Sequence, residues 1–287
     1  MDQYHIPPPQ GTTVKLSDVP LGEWYPFFMQ WQVPVATAVI YTILAFYFNP
    51  STSKLSRMEA KRQNIKAEGA PAKKSIFEPM TMVVFVHNTV LAVYSAWAFM
   101  GVFPTFVKDV MTKGIHAGLC DLDGTRWNSV LFAHMYLFYL SKYYELLDTA
   151  IIILKGRKAS LLQIYHHAGV ILVTYYGCYY SAACSVFIVW ENAGVHTVMY
   201  TYYALTAIGI NPPGKKYLTS LQIFQFLFGQ SAIILYAVMR DCESPVQRTW
   251  LWIMTSYLLP LIYLFVQFYI STYKKGKSAA PKTTKTQ

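Results

Sequence analysis

Seven apolar runs, at about 31–48, 79–103, 128–154, 161–179, 184–208, 218–239 and 250–272, divide the chain. Each is long enough to cross roughly 30 Å of hydrocarbon as a helix, the first only just. In hydrocarbon a backbone N–H or C=O must find its partner inside the protein, so such runs fold as helices. Only 13% of the residues are charged, where soluble domains carry about 25%. The expected fold is an all-α integral membrane protein with seven transmembrane helices. Residues 1–30 read as an extended N-terminal arm, because Pro7, Pro8, Pro9 and Pro20 resist helix. Its aromatic end, Trp24, Tyr25, Phe27, Phe28 and Trp31, suits the headgroup region. Residues 31–272 form one membrane domain, and 273–287 form a basic tail.

The net charge of +10 does not point to nucleic acid, because the cations sit in short connections between apolar runs. There they report orientation. Seventeen lysines and arginines fall on one side and six on the other. The asymmetry predicts a lumenal N-terminus and a cytosolic C-terminus. No secretory leader is visible, so the first apolar run is expected to target the chain. Asn49 precedes proline and no permitted glycosylation sequon occurs. On this topology Cys120 and Cys242 both face an oxidising lumen, and a disulfide between them is predicted; two free thiols are the alternative. Cys178 and Cys184 fall at or near the membrane.

Polar groups inside the apolar runs carry the functional signal, since each costs several kcal/mol in hydrocarbon unless satisfied. The third run holds Lys142, Glu145, Asp148 and Thr149 within one helical arc. Lys142 and Glu145 have the spacing of an ion pair, which serves a bundle-holding network as well as a site. The fourth run holds Gln163, His166 and His167 on one general face. The fifth places Asn192, His196, Tyr200 and Tyr203 on one stripe, with Met199 beside it. The sixth opens with Lys215 and Lys216 and continues through Thr219, Gln222 and Gln225. The aromatic stripe taken alone is ordinary core packing. Together the four faces predict a shared interior chamber.

Membrane di-iron enzymes need roughly eight histidine ligands. This chain has seven histidines, and only His166, His167 and His196 are expected in the chamber. A receptor does not explain ionisable groups at mid-depth. A transporter of an anionic small molecule is the stronger alternative to an enzyme. Without a metal, buried histidines act as nucleophile or general base. No Gly-x-Ser-x-Gly elbow is present.

Lys142-x-x-Glu145-x-x-Asp148-Thr149, Gln163-x-x-His166-His167, Asn192-x-x-x-His196-x-x-Met199-Tyr200 and Thr219-x-x-Gln222-x-x-Gln225 occur in that order. The set resembles the ELO family of fatty acid elongases, which condense acyl-CoA with malonyl-CoA in the endoplasmic reticulum membrane. The histidine box of that family is usually H-x-x-H-H. Gln163 in its first position is similar to the form found in the branch acting on polyunsaturated acyl chains. An amide cannot accept a proton near neutral pH, so that position is not the essential base.

The resemblance implies that helices 2–7 close into a barrel around an apolar acyl tunnel, sealed towards the lumen, with helix 1 outside. It implies a histidine-linked acyl intermediate, with His166 the nucleophile and His167, His196 and Asn192 the remaining catalytic groups. Gln163, Lys142, Glu145, Asp148 and Thr149 would support them. Met199, Tyr200, Tyr203, Gln222 and Gln225 would line the tunnel. Lys155, Arg157, Lys158, Lys215 and Lys216 would meet the CoA phosphates, although plain membrane topology also accounts for them. No metal or cofactor is implied. Membrane lipids, the reductases and dehydratase of an elongation cycle, and a second copy of the chain are the expected partners.

Overall fold

The structure, a computed structural model, describes residues 14–50, 78–239, 242 and 244–274. The polyproline stretch of the arm lies outside the described residues, as do the basic segment 51–77, Arg240 and the tail 275–287, whose cations enter the topology count. Among the described residues seven long helices follow one another: α1 Gln32–Phe48, α2 Pro79–Lys113, α3 Phe132–Leu154, α4 Leu161–Tyr180, α5 Ser185–Ala207, α6 Lys215–Val238 and α7 Pro245–Tyr269. Among the described residues α2, α6 and α7 with its extension to Tyr273 are long and apolar enough to cross a membrane. Gly22–Phe28 and α1, bent by 73°, make a fourth such span if taken together. The chain is a multi-pass membrane protein. The charged triplet in α3, and the histidines and tyrosines of α4 and α5, lower the apolarity of the helices that carry the polar groups.

Local sequence sets the helix ends. Ser160 accepts a hydrogen bond from the Gln163 backbone N–H at 3.2 Å and starts α4. Ser244 and Gln247 form a capping box, with Pro245 in the first turn of α7. Gly214, at φ 105°, turns the chain into α6 in a conformation that favours glycine. Asn49 ties the end of α1 to the α3–α4 connection, donating to Ala159 O at 2.9 Å and accepting from Ala159 N–H at 2.8 Å.

Three boundaries differ from the sequence reading. The described part of the N-terminal arm is not extended. Leu16–Asp18 and Gly22–Trp24 form tight turns, and Tyr25–Phe28 forms a helical turn with Pro26 in its first positions. Tyr25 is buried against Phe132 and Tyr136, and the Tyr139 hydroxyl donates to Phe28 O at 2.9 Å. Core contacts therefore override the proline-rich pattern. Second, α2 runs ten residues past the expected 103 to Lys113, with Pro104 inside it, since a proline removes one helical hydrogen bond without ending a packed helix. Third, α6 starts three residues before the apolar run at 218, and Lys215 and Lys216 open it as the sequence reading has them.

The helices pack as a closed ring. α2 lies against α5, α5 against α6, α6 against α7, α7 against α4, α4 against α3, and α3 against α2. α1 packs outside, on α4 and α3. At the end where α3, α5 and α7 begin, the ring is filled by buried Phe106, Trp127, Tyr136, Tyr139, Phe187, Tyr236 and Trp250. Packing and hydrogen bonding, not water exclusion, drive helix association in lipid. Accordingly the Tyr236 hydroxyl donates to Leu119 O at 2.6 Å and Trp250 Nε1–H to Val173 O at 2.9 Å. Arg126, fully buried, donates to Gly118 O, Leu119 O and Asp109. At this same end Cys120 and Cys242 are joined in a disulfide across 122 residues of chain, while Cys178 and Cys184 are free and buried.

Candidate active site

A cavity of about 630 Å³ lies within the ring, towards the end opposite the aromatic plug. It is bordered by Asn88 of α2, Glu145 and Asp148 of α3, Gln163, His166 and His167 of α4, and Asn192, His196, Met199, Tyr200 and Tyr203 of α5. Gln222 and Gln225 of α6 and Phe265 and Phe268 of α7 complete it. The structure thus brings together the polar faces of helices 3, 4, 5 and 6 that the sequence marks out.

Lys142 and Thr149 stand behind the cavity wall. Lys142 Nζ donates to Glu145 Oε1 at 2.7 Å and to Asn192 Oδ1 at 3.1 Å, and all three side chains are buried. The second contact orients the amide: with Oδ1 occupied by the ammonium, Asn192 Nδ2 donates to His196 Nε2 at 3.1 Å. The His196 proton then belongs on Nδ1, which faces Glu145 Oε1 at 3.6 Å. One lysine therefore fixes an amide, the amide fixes a tautomer, and the carboxylate completes the series. Thr149 accepts from Gln163 Nε2 at 3.4 Å and bonds the Tyr41 hydroxyl at 2.8 Å.

Asp148 gathers three helices. Its Oδ1 lies 2.7 Å from His87 Nε2, and its Oδ2 accepts from the Tyr200 hydroxyl at 2.7 Å and lies 3.9 Å from His167 Nε2. His167 Nε2 meets the Gln163 amide nitrogen at 2.8 Å, and its Nδ1 has no hydrogen-bond partner among the described residues. His87 borders the cavity, so the expectation of three chamber histidines is corrected to four. The signal was present: an ionisable side chain inside the second apolar run, subject to the same cost argument as the third.

His166 is held differently. Its Nδ1 lies 2.9 Å from the Tyr257 hydroxyl of α7, and its Nε2 makes no hydrogen bond among the described residues. The rings of His166 and His167 lie 5.3 Å apart. A nitrogen left unbonded beside a cavity, on a ring anchored through its other nitrogen, is the geometry of an available nucleophile or base.

Lys155 and Arg157, after α3, and Lys215, opening α6, border the cavity at its mouth. The other two predicted cations do not. Lys158 borders a separate hollow with Asn49 and Ser160, and Lys216 lies over the Tyr269 ring at 5.8 Å. Helical rotation separates Lys216 from Lys215, and the Asn49 clamp on Ala159 turns Lys158 away. Along α6, Gln222 Nε2 lies 3.2 Å from Met199 Sδ, and Thr219 meets the Tyr273 hydroxyl at 3.3 Å.

Residues 26–281 match the sequence profile of the GNS1/SUR4 (ELO) family. Fatty acid elongase A of Dictyostelium discoideum is 31% identical over 212 residues, covering 69% of this chain and 74% of that protein. Fatty acid elongase sre1 of the same organism is 28% identical over 259 residues, 88% of each chain. Very long chain fatty acid elongase 4 of Homo sapiens is 36% identical over 167 residues, 54% of this chain and 50% of that protein. With the profile spanning nearly the whole sequence and the polar faces of α3, α4, α5 and α6 meeting in one chamber, the chain belongs to the GNS1/SUR4 (ELO) family.

Proposed function

We propose that this chain is the condensing enzyme of fatty acid elongation, a 3-oxoacyl-CoA synthase of the endoplasmic reticulum membrane that joins a long-chain acyl-CoA to malonyl-CoA. The supporting observation is His166, anchored through Nδ1 and open at Nε2, in a cavity with His196 and Asn192 across from it and cations at its mouth. Seven spans, a lumenal N-terminus and a cytosolic mouth belong to the same reading, because the CoA substrates are cytosolic. The membrane domain covers 31–272, between the lumenal arm and the basic tail.

In this reading Lys155, Arg157 and Lys215 hold the CoA phosphates. His166 Nε2 attacks the thioester carbonyl, the C–S bond breaks, and CoA leaves as the thiolate. Malonyl-CoA then loses CO2, and the electron pair of the broken C–C bond becomes an enolate. The free amide hydrogen of Asn192 is placed to hold the enolate oxygen, with His196 steadied by Glu145 beside it. The enolate carbon attacks the acyl carbon, the C–N bond breaks, and neutral His166 returns with 3-oxoacyl-CoA as product. No step calls for a metal. A dry chamber protects an acyl-imidazole from hydrolysis. Reductases and a dehydratase would act on the product, and a second copy of the chain is a further candidate partner. Gln163, which bonds His167 and Thr149, supports a polyunsaturated acyl preference through the Q-x-x-H-H resemblance.

Membranes carrying the chain, given malonyl-CoA and a panel of saturated, monounsaturated and polyunsaturated acyl-CoAs, test the reading. Two-carbon extension of the polyunsaturated substrates alone is expected. Extension of saturated chains would remove the substrate preference and keep the enzyme. No extension by well-inserted protein would favour a carrier of anionic acyl compounds.

A further inference from the structure

Tyr257 lies outside every motif that the sequence marks, and it does not border the cavity. Yet its hydroxyl makes two contacts with one residue of another helix. It lies 2.9 Å from His166 Nδ1 and 3.3 Å from the His166 backbone oxygen. A phenol has one proton, and a carbonyl oxygen only accepts. Both contacts are hydrogen bonds only when the phenol donates to the carbonyl and receives a proton from the imidazole. In the opposite arrangement the phenol proton goes to Nδ1, and two oxygen lone pairs face each other at 3.3 Å inside an apolar bundle.

We propose that Tyr257 is the positioning residue of the nucleophile: it holds His166 as the Nδ1–H tautomer, so that the lone pair sits on the chamber-facing Nε2. The inference rests on His166 forming the acyl intermediate. When Nε2 acquires the acyl group the ring becomes cationic, and the Tyr257 oxygen already faces the N–H that carries part of this charge.

Tyr257 is itself immobilised. Its ring stacks on Tyr165 at 5.7 Å with an interplanar angle of 14°, and the Tyr165 hydroxyl donates to Tyr257 O at 3.0 Å. On the α4 side it abuts Gly169, where any Cβ would overlap the ring. A tyrosine free to swing would set no tautomer. This one is closed in by the Tyr165 side chain, one residue before His166, and by the α4 backbone at Gly169, three residues after it.

The test is single-turnover acylation, with radiolabelled acyl-CoA and no malonyl-CoA, followed by protein-bound label and released CoA. Tyr257→Phe keeps the ring and removes the hydroxyl. The expected result is an acylation rate at least ten-fold lower, with acyl-CoA binding within two-fold of wild type and an unchanged melting temperature. Tyr263→Phe, on the exposed face of α7, is the control and should acylate normally. Wild-type acylation by Tyr257→Phe would overturn the inference and leave the acyl-enzyme standing. So would a loss of acyl-CoA affinity at unchanged rate, which would make Tyr257 a wall of the tunnel. A wild-type enzyme that elongates acyl-CoA but binds no label would overturn the intermediate, and the inference with it.

Discussion

His87 of α2 and Asp148 of α3 meet through Nε2 and Oδ1 at 2.7 Å, and the same carboxylate takes the Tyr200 hydroxyl from α5. His87→Phe preserves the stacking on Tyr144, which lies at 5.2 Å, and deletes the contact with Asp148. Leaving a charged group short of one partner costs about 1–3 kcal/mol, so elongation should fall about ten-fold or more. His87→Gln, which keeps a donor, should recover most of it. Normal turnover by the phenylalanine variant would show that Asp148 does not need α2.

The buried Lys142–Glu145 pair makes a prediction that separates stability from activity. Lys142→Met leaves Glu145 and the Asn192 oxygen unmatched in the bundle, at a cost of about 3–5 kcal/mol. Adding Glu145→Leu removes the stranded charge and should restore most of the melting temperature in detergent. Activity should not return, because nothing then fixes Asn192 and His196. An active double variant would refute the orienting series.

His166→Ala should abolish condensation in a protein that still inserts and melts normally. Gln163→His should stay active, since an imidazole also reaches His167 and Thr149, with any change confined to which acyl-CoAs are extended. A folded but dead Gln163→His would contradict the supporting role given to the amide.

The mouth predicts an asymmetry among cations that look alike in the sequence. Arg157→Ala and Lys215→Ala should each raise the KM for acyl-CoA several-fold with little change in kcat. Lys158→Ala and Lys216→Ala should leave it near wild type. Equal effects at all four positions would mean that only general positive charge matters.

Cys120→Ser should lower stability by roughly 2–5 kcal/mol, since the bond closes a loop of 122 residues. The double Cys120→Ser/Cys242→Ser variant should match it rather than fall further. Thiol titration in denaturant should find two free cysteines before reduction and four after.

Much of the chamber was legible because charge in an apolar run has few explanations. Lys142, Glu145, Asp148, His166, His167 and His196 each break a run that lipid would otherwise favour. Tyr257 was not legible, because tyrosine is common in membrane helices and nothing in α7 marks its hydroxyl as different from that of Tyr263. The split between Lys215 and Lys216 depends on where α6 begins, which Gly214 decides and hydropathy does not. The packed turns after Val14 were hidden for a related reason: a proline-rich pattern reports what the backbone avoids alone, while Tyr25 settles where Phe132 and Tyr136 leave room for it.

The aromatic plug and the disulfide beside it make the chamber a blind alley. A molecule with a large charged head and a long apolar tail enters such a space tail first and leaves head first by the same door. On the proposed mechanism the departing CoA and the incoming malonyl-CoA would use that same door in turn, while the acyl tail stays inside. An elongated product would be handed back where it was received, ready for the next enzyme without crossing the bilayer.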